Sequence, residues 1–135
     1  MIHADRIALL RQLCFGATAV ACLLYAKLAL WLDVPDPMIW WIPGALGAMS
    51  AAVMLLAGAL AGDAQARMAY DALYASIQMC AGNFAFWAGI ALAIAASVGA
   101  AQDLFLPEVG LATVGTGMAG VYLGLIAVME RRAGG

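Results

Sequence analysis

The side chains in this sequence that could do chemistry are few, and their spacing assembles no catalytic set. The one histidine, His3, lies at the start of the chain, so a bis-histidine haem anchor is excluded. No histidine–carboxylate cluster offers a metal site, and no nucleophile sits at a readable spacing from a base. The sequence therefore implies no catalytic residue, no metal and no cofactor. Cys14, Cys22 and Cys80 form no CxxC pair, and all three fall within apolar stretches. They are expected to be free thiols that act as small hydrophobes.

What remains is a handful of polar groups inside apolar segments. Asn83 is followed by Phe84, Phe86 and Trp87; Ser50, Thr113, Thr116 and Tyr122 lie elsewhere. The expectation for Asn83 is an interhelical hydrogen bond, worth about 0.6 kcal/mol on average in membranes, with polar groups near Tyr122. Ser50 and the threonines are expected to bond back to carbonyls of their own helices. The functional alternative is a polar contact to a small solute or lipid through Asn83, Tyr122 and Ser50. Asp63, Arg67 and Asp71 recur at i, i+4, which supports a helix capped by Asp63 and starting near Ala64. Tyr70 and Tyr74 fall one turn apart on another face, so Arg67, Tyr70, Asp71 and Tyr74 form a candidate docking surface on the cytoplasmic side. An enzyme acting on lipid at the interface would have to use Asp63 and Asp71.

The elements that position these groups are set by composition. The 135 residues are 67% apolar and 10% charged, with a mean hydropathy of +0.98. A soluble domain has about 25% charged residues and is too small at this length to hide so much apolar surface. The net charge is −2 and there is no basic run, which excludes a nucleic-acid binder. The Pro35–Pro37 break, the stretch 62–74 and the stretch 102–108 leave four apolar segments, about 12–32, 39–61, 76–101 and 109–129. Each meets the ~20 residues needed to cross a bilayer as a helix. The first is too long for the apolar core of a cleaved signal sequence. The expected fold is one all-α domain, a transmembrane four-helix bundle running up-down-up-down.

Five of the six basic residues (Arg6, Arg11, Arg67, Arg131 and Arg132) fall on one side of these segments. The positive-inside rule then places both termini in the cytoplasm, with a bacterial inner membrane as the expected location. Lys27 can snorkel outward beside Trp31. The two halves share a faint pattern, Pro35-Asp36 against Pro107-Glu108, too short to establish duplication.

Close packing in lipid relies on small residues. Gly110, Thr113, Gly117, Gly120, Gly124 and Ala127 follow at 3.5-residue spacing in the fourth segment, and Gly44, Ala48, Ala51, Leu55, Gly58 and Gly62 in the second. These lines are expected to face the chain's own bundle or a second protomer. The other side of the fourth segment, including Met118, Leu125 and Met129, suits lipid. Size and span count are similar to those of small multidrug transporters, but that family depends on a glutamate within its first helix, where this sequence has only Lys27. The size also resembles that of dual-topology fluoride channels, whose glycine/threonine/serine-rich motifs are absent here. The function that fits is a non-enzymatic accessory, scaffold or regulatory subunit acting through helix contacts. A membrane-protein partner or a homo-oligomer is implied, and the alternative is an oligomeric transporter or channel.

Overall fold

The structure, a computed structural model, describes residues 4–39, 41–61, 64 and 72–133. They form four long helices: α1 (Ala4–Leu32), α2 (Trp41–Ala61), α3 (Ala72–Ala101) and α4 (Pro107–Ala133). Each is long and apolar enough to cross a membrane, and no strand occurs among the described residues. The expected start of the third helix near Ala64, with its Asp63 cap, lies outside the described residues apart from Ala64 itself.

Local chemistry explains the helix ends. Pro107 opens α4 at the first position, where a missing N–H costs nothing, and Pro43 falls in the first turn of α2. At the opposite ends, Asp33 (φ 51°) and Asp103 (φ 54°) turn left-handed immediately after α1 and the last turn of α3. Aspartate tolerates this conformation better than most side chains. The turn lets the N–H groups of Val34 and Leu104 reach back to the Ala29 and Gly99 carbonyls, at 3.3 and 3.0 Å, and satisfies otherwise orphaned acceptors. Asp33 also accepts a hydrogen bond from the Leu106 N–H at 3.3 Å, which ties the two connections together beside the start of α4.

Three helices are longer than the apolar segments implied; α3 begins four residues before position 76. α1 begins eight residues before position 12 and α4 continues four residues past position 129. Hydropathy stops at the first charge, whereas a helix continues where its charges find partners.

The helices pack in the order α2–α1–α4–α3. α4 lies along both α1 and α3, while α2 packs mainly on α1. α4 therefore needs two packing faces. Gly110 and Gly117 abut Ala96 and Leu92 of α3, while Gly120 and Gly124 abut Leu23 and Ala19 of α1. At Gly120 a β-carbon would lie 2.7 Å from Leu23 Cγ and 3.2 Å from the Ala19 carbonyl oxygen, so the two backbones approach closely only because the side chain is absent. The side of α4 expected to suit lipid is partly covered. Met118 fills the space over Gly89, and Leu125 and Met129 pack against Tyr74, Ile77, Ala81 and Ile126. The cause is the central position of α4, which turns a second face toward α3.

α2 presents Pro43, Ser50, Met54 and Ala57 to the interior. The line through Gly44, Ala48, Ala51, Leu55 and Gly58 is one residue out of step with that face. Among the described residues nothing lies within 4 Å of a β-carbon at Gly44 or Gly58, and Leu55 is 76% exposed. Gly62, the last position of that line, lies outside the described residues.

Candidate functional site

The most polar point in the interior lies at the end of the molecule that holds both termini. Arg11, in the second turn-pair of α1, forms an ion pair with Glu130 near the end of α4, and both side chains are about 95% buried (4% and 5% exposed). No other hydrogen-bond donor reaches either Glu130 carboxylate oxygen among the described residues. The Arg11 guanidinium carbon also lies 3.7 Å from the centroid of the Tyr74 ring, a cation–π contact from α1 to α3. Three helices are thus joined by one cation. A carboxylate and a guanidinium removed from water are tolerable only together, because either alone would carry an uncompensated buried charge.

Glu130 is the group that sequence reasoning missed, and it was recoverable. It lies three residues beyond Ala127, at the end of the small-residue line of α4, and it is the one acid beside Arg131 and Arg132. Arg11 serves here as a structural partner as well as one of the charges in the orientation count. Tyr74, a member of the expected docking surface, is buried beneath Arg11. Arg67, Tyr70 and Asp71, its companions, lie outside the described residues, as do Asp63 and His3.

The three expected binding residues do not converge. Ser50 is on the α1–α2 interface, where its hydroxyl lies 3.1 Å from that of Thr18. Thr18 donates to the Cys14 carbonyl at 2.9 Å, and the Ser50 proton has two acceptors on α1, the Thr18 hydroxyl at 3.1 Å and the same Cys14 carbonyl at 3.4 Å. Ser50 therefore stitches α2 to α1 instead of bonding to its own helix. Thr113 and Thr116 do bond back, to the Val109 and Ala112 carbonyls at 2.8 and 2.7 Å. Tyr122 is half-buried against Gly82 and the Tyr74–Ile77–Ala81–Ile126 cluster. Asn83, next to Gly82 in sequence, points the other way and is exposed. The expected hydrogen bond between Asn83 and the α4 groups near Tyr122 is absent from the described residues. The 100° step between neighbouring helix positions puts Gly82, not Asn83, against α4.

Two open hollows flank the helix row. One, about 170 Å³, lies beside Thr18 and Ser50 and is walled by Phe15, Gly47, Met54 and Leu123. The other, about 290 Å³, runs between α3 and α4 along Ala93, Ser97, Gly110 and Leu111. Neither contains a charged group. At the far end of α1, the Tyr25 hydroxyl lies 3.0 Å from both the Pro35 carbonyl oxygen and Asp36 Oδ1, which anchors the first connection. Lys27 Nζ lies 5.9 Å from the Trp31 ring centroid. The three cysteines are free: Cys22 buried, Cys14 half-buried and Cys80 exposed. No group of three metal-ligating side chains occurs among the described residues.

Comparison of the chain with known protein families, curated proteins and solved structures finds no match to any of them.

Proposed function

We infer that the chain is a non-catalytic membrane subunit that works by helix–helix contact, with both termini in the cytoplasm of a bacterial cell. The observation that carries this reading is the open row of helices. α2 and α3 each have one main neighbour, and only 17% of the most apolar stretch of α3 is buried, against 33% for α1. Flanking helices with wide uncovered faces suit contact with lipid and with further transmembrane helices. The polar groups support the same reading, because Arg11, Glu130, Thr18 and Ser50 are used in joining helices. A transporter built on Asn83, Tyr122 and Ser50 would need these groups to line one path, and they lie on three separate surfaces. The five-to-one distribution of basic residues supports cytoplasmic termini.

The test has two arms. Tagged chain drawn from native membranes in mild detergent should bring down a polypeptide, its own copy or another, in stoichiometric amount. Reconstituted in liposomes, the chain should add no solute or ion flux above protein-free vesicles. Flux that scales with protein content, with no polypeptide partner, would overturn the reading.

A further inference from the structure

The outward face of α3 carries a polar line whose central member, Asn83, has no hydrogen-bond partner among the described residues. Ser76, Asn83, Ile90 and Ser97 follow at intervals of seven residues, with Met79, Phe86 and Ala93 between them, and all seven are exposed. The buried face of the same helix, through Ala81, Ala85 and Gly89, lies on the opposite side. Of the five polar side chains of α3 (Tyr74, Ser76, Gln78, Asn83 and Ser97), Ser76 and Asn83 thus fall opposite the buried face, while Ser97, farther along the line, borders the hollow between α3 and α4. Lipid would select the reverse, because polar side chains in spanning helices turn toward other helices.

Asn83 makes the conflict sharp. It is nine residues beyond Tyr74, or about 13 Å deeper along the helix at ~1.5 Å per residue, and 18 residues short of Ala101. Asn83 thus falls inside the apolar run 76–101 of the helix, and in hydrocarbon an amide without a partner is costly. Ser97 meets its own need by donating to the Ala93 carbonyl at 2.8 Å, but Asn83 has no hydrogen bond among the described residues.

We propose that a second copy of this chain docks on this face of α3, with Asn83 of each copy hydrogen-bonded to Asn83 of the other. This rests on the helix-contact reading above and names the partner. The chemistry selects a second copy over a foreign helix because an amide carries both donor and acceptor, so two related by a two-fold axis satisfy each other. Two copies inserted with the same topology run their α3 helices in parallel, which brings equivalent residues face to face. A strict seven-residue line gives a left-handed crossing near +20°, and a single asparagine on such a line fixes register and favours pairs. The hollow of about 290 Å³ along Ala93 and Ser97 continues the seam on its outer half and leaves room for the partner's side chains.

The experiment is cysteine crosslinking of the full chain in native membranes. In a background carrying Cys14→Ala, Cys22→Ala and Cys80→Ala, single cysteines are placed by Ser76→Cys and Ala93→Cys on the seam. Leu55→Cys on α2 and Leu13→Cys on α1 serve as exposed controls. Mild oxidation should give a species of twice the chain mass for the seam positions and only background for the controls. Adding Asn83→Ala should lower seam crosslinking by about three- to tenfold, while Asn83→Gln retains more of it. Because Asn83 faces outward, Asn83→Ala should leave the thermal midpoint of the monomer unchanged, which separates lost pairing from lost folding. Seam positions that crosslink no more than the controls would overturn the proposal. Adducts formed only with a different polypeptide would overturn the second copy while leaving the helix-contact reading intact.

Discussion

The buried Arg11–Glu130 pair gives the most demanding stability prediction. Its charges are in direct contact and about 95% buried, so the attraction is large and so is the desolvation it offsets. Two unit charges about 4 Å apart at an effective dielectric constant of 20 attract by about 4 kcal/mol. Removing one partner also leaves the other buried and unpaired. Glu130→Ala or Arg11→Ala should therefore cost about 3–5 kcal/mol. For a chain of this size that is a fall of about 10–20 °C in thermal midpoint. The double replacement Arg11→Met with Glu130→Leu removes both charges at similar volume and should recover to within about 2 kcal/mol of the parent. The assay is thermal unfolding in detergent of the parent, both single variants and the double, read as a double-mutant cycle. A Glu130→Ala variant that melts with the parent, or a double variant no better than the weaker single, would mean that the pair does not hold the helices together in this way.

The close approaches separate the glycines. Gly120→Ala should destabilise by about 1–3 kcal/mol against Leu23 and the Ala19 carbonyl, whereas Gly115→Ala and Gly44→Ala, which meet nothing within 4 Å among the described residues, should gain up to about 1 kcal/mol of helix propensity, all read by the same melts. Reporters active only in the cytoplasm should work at both termini; a silent reporter at either end would overturn the orientation. Replacing Cys14, Cys22 and Cys80 together with serine should leave the fold intact with a modest loss, and denatured intact protein should show the full mass of three free thiols.

Much of the fold was legible in the sequence because it depends on one quantity, the length of apolar runs between breaks. The aspartate–proline break after Leu32 and the polar stretch after Ala101 are local signals that any register respects. What escaped was decided by pairing across helices. The true starts and ends of α1 and α4 depend on Arg11 meeting Glu130, two residues 119 positions apart. In α2, glycine and alanine are so frequent that several lines look equally suited to packing. The Thr18–Ser50 bond selects the face through Ser50 and turns the neighbouring line outward. The expectation of an interhelical bond for Asn83 rests on the need of an amide in hydrocarbon for a partner, and that need does not require the partner to belong to the same chain. The small-residue line of α4 was readable as a line, whereas its division between α3 and α1 follows from the central place of α4 in the row.

Whether this chain works by joining other helices is decided by native mass spectrometry of complexes released straight from membranes. The expected species are twice the 13.9 kDa chain mass, or the chain with another polypeptide, carrying only loosely held lipid that collisional activation strips away. A species at the mass of a single chain with a small molecule retained at one-to-one occupancy, and no protein partner, would contradict it.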